Sequence, residues 1–337
     1  MNLKLLLKRG ALVAVANWPT IAIQFAAETT FQVLLAVPII GAAILVAALL
    51  GGDLTELLRG GLRDIFTTIA GTLMSEPVAL VAFIAAFTIV LLGGSVLTFL
   101  VKGGTVDVLV KAEAAAGPVE HEPLTYESVV HEAAYFTLDR FMNGCRRLFR
   151  RYLALGIALM VVYAVTGGAY VTFVVYGYRA VAGRWLIIEW TFIAAIAAAV
   201  LVGWITIVNW CYLLLQIAMA TEDIGVAPGV VAVARFVRDE FGELARVFGV
   251  ILVVIVASTF ASALAWSGVG LIAFVPLVGL AVFPLQLAAL LLRGIVFEFI
   301  GLGALAAYAA MYHRHLEKRE RAVRDVVGLK WEVRSLK

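Results

Sequence analysis

The stretch Trp190–Thr221, WTFIAAIAAAVLVGWITIVNWCYLLLQIAMAT, decides the fold, because its 32 consecutive residues include no Lys, Arg, Asp or Glu. A helix needs about 20 apolar residues to cross the hydrocarbon core of a bilayer. This stretch is long enough for that crossing, and it is too apolar over its length for the surface of a soluble domain. It therefore predicts a transmembrane helix.

The rest of the chain has the same character. Of its 337 residues, 63% are hydrophobic and 15% are charged, whereas about 25% of the residues of a soluble domain are charged. The last long apolar run, Val247–Tyr312, is interrupted by Ser267 and Gly268 and by the Pro276–Pro284 region, so it is divided into two helices. The sequence predicts an all-α polytopic membrane protein with interfacial amphipathic helices and a six-span domain over residues 29–312. The spans are predicted at 29–52, 77–101, 152–178, 186–216, 247–268 and 285–312.

Segments outside the spans are predicted to lie at the membrane surface. Residues 1–28 are expected to form an amphipathic segment, and apolar residues at helical spacing within 54–65 indicate a second surface helix. Residues 313–337 form a basic tail. The residues of the first segment that are expected to face lipid headgroups are Lys4, Lys8 and Arg9.

The orientation follows from the distribution of basic residues. With six spans, 21 of the 26 Lys and Arg residues fall on the side that carries both termini. Basic residues are enriched in cytoplasmic loops, so both termini are predicted to be cytoplasmic in a bacterial inner (plasma) membrane. The basic residues cluster at the ends of apolar segments, and this topology explains the net charge of +3 without a nucleic-acid partner.

Two segments, 130–148 and 230–248, form a predicted internal repeat with an offset of 100 residues. In the second copy, apolar residues recur at intervals of three and four and predict one face of an amphipathic helix: Val230, Val233, Val237, Phe241, Leu244 and Phe248. A parallel repeat of this kind is found in transporters, and an inert scaffold that arose by duplication has the same pattern. The identities are Ala134/Ala234, Phe136/Phe236, Asp139/Asp239, Phe141/Phe241 and Arg146/Arg246.

Two charged residues lie inside the last predicted span. Arg293 and Glu298 are five residues apart, which places them about 140° apart around a helix, so they do not share a face. Each therefore needs a partner elsewhere, and Glu189 in the fourth span is predicted to pair with Arg293. Glu298 is expected near the midplane, protonatable, with a pKa raised by burial. Two roles fit these residues. They could form a buried polar network that fixes helix register, or they could serve as a proton or cation relay or as a clamp for a lipid headgroup.

A strongly basic run, CRRLFRRY at Cys145–Tyr152, stands at the entrance to the third span. It is either a topology anchor or a site for anionic lipid headgroups, which juxtamembrane arginines attract. The candidate lipid contacts are Arg146, Arg147, Arg150 and Arg151.

The sequence offers no pattern typical of catalysis or of cofactor binding. His121 and His131 are each followed by Glu, but no second histidine follows at the HExxH spacing, and no phosphate-binding glycine loop or nucleophile motif is present. No catalytic residue, metal ligand or cofactor is predicted, and the protein is not expected to be an enzyme. Cys145 and Cys211 are expected to be small buried side chains.

The six spans, the amphipathic linkers ending in an aromatic–arginine motif, and the final AYAAMYHRH carry a resemblance over Leu91–His315. In these features the chain resembles uncharacterised bacterial integral membrane proteins related to the membrane domain attached to some glycerophosphodiester phosphodiesterases. The resemblance implies a membrane module. The catalytic domain of those phosphodiesterases has no counterpart in this sequence, and no functional residue is carried over.

Together these observations favour a non-catalytic inner-membrane scaffold or accessory subunit that packs against other membrane proteins and anionic lipid. The alternative is a transporter or lipid-handling permease that uses the parallel repeat and the carboxylate of Glu298. A water-filled cavity that reaches Glu298 would favour the transporter, and a dry bundle with an apolar flank would favour the scaffold.

Overall fold

A computed structural model describes the chain in five long ranges, from which short segments are missing. Those ranges, together with the single residue 71, are 2–49, 75–121, 125–181, 187–273 and 278–335. The surface helix predicted within 54–65 lies outside the described residues.

Every regular element in the described ranges is an α-helix, which confirms the predicted all-α fold. Six helices are long and apolar enough to cross a membrane, and this number also agrees with the sequence. The helices are α1 (Leu3–Ala16), α2 (Trp18–Leu49), α3 (Pro77–Ala115), α4 (Tyr126–Ala133), α5 (Leu138–Val181), α6 (Ile187–Glu222), α7 (Val226–Ala273) and α8 (Val278–Ser335).

The spanning helices are longer than the predicted spans. α5 has 44 residues, α7 has 48 and α8 has 58, whereas about 20 residues cross the hydrocarbon core. These helices therefore continue beyond the membrane by several turns. The basic tail predicted from residue 313 is part of α8, since the residues after Tyr312 are mostly good helix formers and include no proline.

The chain divides into two compact units. The smaller unit is Ile23–Val101, in which Ala42 packs against side chains of α3 and the ring of Phe31 lies against Gly94. The larger unit joins Met1–Ala22 to Lys102–Lys337, and it carries the sites described below.

Buried side chains of the larger unit are concentrated at one end of its long helices. Tyr152 of α5 donates a hydrogen bond to the carbonyl oxygen of Gln216 on α6 (2.8 Å). Phe236 of α7 meets Tyr312 of α8 edge to face, with 5.0 Å between the ring centroids. Farther along the spans the large apolar side chains face outward, and Phe192 is 67% exposed. Such a surface suits a bilayer, because lipid tails solvate it.

α1 packs along α8, with Val13 and Ala14 fully buried. Its predicted position at the membrane surface stays a prediction. The close approach depends on small residues, since a Cβ atom at Gly10 would lie 2.8 Å from the Cβ atom of Ala307. Arg9, which was expected to face headgroups, is a correction to the sequence analysis: its side chain is 13% exposed and points into the unit.

The residues of the apolar stripe predicted for 230–248 differ in burial, although Val230, Val233, Val237 and Phe241 line one groove. Val230 is 49% exposed and Phe241 is 62% exposed, whereas Phe236 and Leu244 are fully buried. The buried face is displaced because it includes Glu240, whose carboxylate pairs with a lysine of α8, and α7 departs from helical geometry at this residue (φ −120°, ψ 22°). An apolar pattern alone does not identify a face that contains a carboxylate.

Candidate functional site

Asn17 is fully buried at the junction of α1 and α2, and both the NH₂ group and the oxygen of its side-chain amide form hydrogen bonds. Its Nδ2 donates to the carbonyl oxygens of Val13 and Ala133, both at 2.9 Å. Its Oδ1 accepts from the backbone N–H groups of Tyr135 (2.8 Å) and Phe136 (2.9 Å). These two groups lie in the break between α4 and α5, where they lack helical partners. Because an amide has two donor hydrogens and two acceptor lone pairs, all four are satisfied.

Arg9 binds the end of α3 and the loop that follows it. Its guanidinium donates to the carboxylates of Glu113 and Glu120, both at 3.0 Å, and to three backbone oxygens that follow α3 or end it: Glu113, Ala116 and Gly117. Burial lowers the pKa of Arg9, but the two carboxylates outweigh this effect and the pKa is raised above its usual value. His313 of α8 hydrogen-bonds Glu113 through Nδ1, so α1, α3 and α8 meet at one carboxylate.

Asp107 of α3 is the second buried carboxylate, with 2% of its surface exposed. It accepts hydrogen bonds from Lys111 Nζ at 2.9 Å and from Arg147 Nη2 of α5 at 2.5 Å. α3 and α5 approach closely here, since a Cβ atom at Gly144 would lie 2.7 Å from the Cβ atom of Asp107. Small residues therefore bring the arginine to the carboxylate.

The four arginines predicted to contact lipid divide into two pairs. Arg147 and Arg151 turn toward Asp223 in the turn between α6 and α7, with N–O distances of 3.4 and 2.6 Å. The hydrogen bond from Arg151 holds the pKa of Asp223 below its usual value. Arg146 and Arg150 are exposed and form no ion pair with any residue that the structure describes.

α8 adds further polar contacts to this end of the unit. Tyr312 donates a hydrogen bond to Glu222 of α6, Arg314 pairs with Glu243 of α7, and Lys318 pairs with Glu240 at 2.6 Å. We call the whole set the polar layer, and it joins α1, α3, α5, α6, α7 and α8. Its members are Arg9, Asp107, Lys111, Glu113, Glu120, Arg147, Arg151, Glu222, Asp223, Glu240, Glu243, Tyr312, His313, Arg314 and Lys318.

The predicted intramembrane residues do not come together. Glu189 is exposed in the first turn of α6, and no ion pair joins it to Arg293, although both residues are described. The guanidinium of Arg293 instead lies 5.6 Å from the ring centroid of Phe297. Glu298 is half-buried on α8. Hydropathy identified the helices that carry these charges, but it holds no information about which helix faces which.

A cleft of about 280 Å³ lies between α7 and α8, and Arg293 lines it. The cleft adjoins Arg293 and not Glu298, which is not among its lining residues. The other polar side chains in its wall are Ser258, Ser262 and Gln286, and the apolar ones are Ala265, Ala289, Leu292, Val296 and Phe297.

The polar groups of the polar layer form ion pairs and hydrogen bonds with one another. Within the described ranges, no group of three or more His, Cys, Asp or Glu side chains is arranged to hold a metal ion. Cys145 is buried and Cys211 is half-buried, and both are free thiols.

The sequence analysis missed the residues that organise the polar layer. Asn17, Arg9 and Glu113 are joined only by the tertiary fold, so no local pattern marked them. For Asp107 a signal was present: Lys111 follows it by one helical turn, and the pair interrupts an otherwise apolar stretch.

Comparison of the chain with protein-family models, with curated proteins and with solved structures found no match. The function is therefore argued from the geometry of the chain.

Proposed function

We propose that this multi-pass membrane protein is a non-catalytic scaffold or accessory subunit. In this proposal it lies in a bacterial inner membrane with both termini cytoplasmic, packs against other membrane proteins and binds anionic lipid. The observation that carries the proposal is the polar layer, in which six helices are tied to one another by charged and hydrogen-bonded side chains.

The polar layer supports a scaffold because its charges are engaged with one another. Removing one partner of a buried ion pair, such as Arg9–Glu113, leaves an uncompensated charge and typically costs about 3–5 kcal/mol. A transporter that rocks one helical hairpin against another would also have to separate pairs between helices, such as Arg151–Asp223, in each cycle. A permease that uses Glu298 is therefore the less favoured alternative.

α6 presents a face that fits another transmembrane helix. Ala195, Ala199 and Gly203 recur every four residues and are exposed, and a Cβ atom at Gly203 would meet nothing within 4 Å. Helices in membranes associate through such small residues, because they let the backbones approach closely. The larger side chains of Phe192 and Val200 lie nearby and are also exposed.

Arg146 and Arg150 support the lipid part of the proposal. Both are exposed on α5 beside the polar layer, whereas Arg147 and Arg151 are held by Asp223 and are less available to headgroups. Basic residues near an anionic leaflet gain about 1 kcal/mol each.

We also keep as proposals two expectations from the sequence. The segments 130–148 and 230–248 are proposed to descend from one duplicated unit. Arg146 and Arg246 are both exposed, which agrees with that origin, while Phe141 is buried and Phe241 is exposed, so the copies have diverged. The resemblance to phosphodiesterase-associated membrane domains stays a prediction.

The scaffold is tested by placing a photo-crosslinking residue at Ala199 in living cells. We expect it to form an adduct with one membrane protein, and the same residue at Val253 of α7, which is 66% exposed, to form adducts with lipid alone. Lipid adducts at both positions would contradict the proposal.

A leucine at Gly203 provides the second test. The Gly203→Leu variant should fold normally, since the position is open, but it should lose the Ala199 adduct because the close approach is blocked. The matched control is Gly249→Leu on α7, which is equally open and should leave the adduct and the melting temperature unchanged.

A further inference from the structure

The cleft between α7 and α8 is lined by four polar side chains. Ser258, Ser262 and Gln286 line it and make no side-chain hydrogen bond with any described residue, and Arg293 makes neither a hydrogen bond nor an ion pair there. Arg293 is exposed, and Ser258, Ser262 and Gln286 are half-buried. These four groups are therefore accessible to a polar occupant of the cleft.

Neighbouring hydroxyl groups on the same helix show that this arrangement is not a general property of α7. Thr259 donates to the carbonyl oxygen of Ile255 at 2.8 Å, and Ser267 donates to that of Ala263 at 2.9 Å. Both satisfy themselves within the helix, one turn back. Ser258 and Ser262 do not, and they are the two hydroxyl side chains of α7 that line the cleft.

The position of the cleft along α8 places it near one membrane boundary. Arg293 lies 19 residues before Tyr312, which belongs to the polar layer, and this separation is about 28 Å at a rise of about 1.5 Å per residue. The hydrocarbon core is about 30 Å thick. When the polar layer marks one boundary, Arg293 reaches the headgroup level of the opposite leaflet.

We propose that this cleft binds the phosphate group of a membrane phospholipid in the leaflet opposite the polar layer. The guanidinium of Arg293 supplies the positive charge and a fork of donors that suits phosphate oxygens. The serine hydroxyls and the Gln286 amide supply further donors. The cleft has a volume of about 280 Å³, and Leu292 and Val296 in its wall offer apolar contacts to the acyl chain. The site uses none of the residues of the scaffold proposal and stands or falls without it.

The test measures lipids that remain bound to the purified, intact protein by native mass spectrometry. Phosphatidylglycerol is compared with diacylglycerol of the same chains, which lacks the phosphate. We expect phosphatidylglycerol to be retained and diacylglycerol to be lost. In a background that carries Arg146→Gln and Arg150→Gln, which removes the lipid contacts of the proposed function, Arg293→Gln should lower the retained phosphatidylglycerol about tenfold, since it removes a charge-assisted contact.

The matched control is Arg179→Gln, an exposed arginine in the last turn of α5 and away from the cleft, which should retain the lipid as the wild type does. If Arg293→Gln does not fold, the Ser258→Ala/Ser262→Ala double variant keeps the charge and should still lower retention severalfold. Equal retention in the wild type and the cleft variants would overturn the proposal. So would inorganic phosphate that binds the delipidated protein with the same Arg293 dependence while phosphatidylglycerol does not displace it, because the site would then serve a free anion.

Discussion

Asn17 shows how a single neutral side chain holds together elements that are distant in sequence. Its amide joins α1 to the break between α4 and α5, more than 115 residues away, and it satisfies two backbone N–H groups that no helix serves. A hydrophobicity profile gives such a residue no weight. Asn17 could not be predicted from the sequence, because its importance depends on the position of the α4–α5 break, which is a tertiary property.

Replacing this amide should be costly. Asn17→Ala leaves the N–H groups of Tyr135 and Phe136 and the carbonyl oxygen of Ala133 without partners, and we expect it to lower the free energy of unfolding by about 2 kcal/mol or more. Unfolding in mixed micelles, followed by circular dichroism, measures the change. Asn209→Ala is the control, because it removes one exposed hydrogen bond to Tyr163, and a bond of this kind within a membrane is worth about 0.6 kcal/mol. Equal losses in the two variants would contradict the role given to Asn17.

At the scale of elements, hydropathy predicted the transmembrane spans, which depend on composition. It did not predict the docking of α1 on α8, which depends on contacts between distant residues. The six spans follow from apolar runs that need a bilayer, and the residues that the structure describes form six such helices. The docking of α1 follows from the match of Gly10 with Gly303 and Ala307, three small residues separated by most of the chain. The amphipathic character of α1 was equally compatible with the membrane surface, so the sequence did not separate the two.

Gly10 is therefore the position at which α1 is most sensitive to size. Gly10→Leu would drive a side chain into the backbone of α8, and we expect a loss of about 1–3 kcal/mol in the free energy of unfolding. Gly242→Leu on α7 is the control: nothing lies within 4 Å of a Cβ atom there, and leucine favours helix more than glycine does. Thermal melts of both variants in the same detergent make the comparison. A Gly10→Leu variant as stable as the control would place α1 away from α8.

At the scale of the whole molecule, the ion pairs and the lipid-facing apolar surface lie in different parts of the long helices. The larger unit buries its side chains around the polar layer, and the spans beyond it present apolar surface outward. The two roles predicted for the basic run at Cys145–Tyr152, a topology anchor and a lipid site, did not include pairing with carboxylates. Asp107 and Asp223, which hold Arg147 and Arg151, come from other helices and turns.

The polar layer should respond to acid through Asp223. The hydrogen bond from Arg151 lowers the pKa of Asp223 in the folded protein. The stabilisation is therefore complete above about pH 3.9, the usual pKa of an unfolded aspartate, and is lost as the pH falls through the lower folded value. Melting temperatures measured between pH 2 and pH 6 should fall more steeply in the wild type than in Asp223→Asn. Asp139→Asn, which removes an exposed carboxylate of α5, should keep the wild-type slope, and identical slopes for all three proteins would exclude the effect.

The packing of α1 on α8 has a consequence for biosynthesis. About 290 residues separate Gly10 from Gly303, and a ribosome adds roughly 5–20 residues per second. For on the order of 15–60 s, therefore, the nascent chain exposes the apolar face of α1, because α8 has not yet been made to cover it. During the same time His313, which hydrogen-bonds the Glu113 carboxylate that binds Arg9, is also missing. The contact between α1 and α8 can form only after α8 has been synthesised. A chain that ends before α8 would expose the face of α1 that α8 covers in the folded protein.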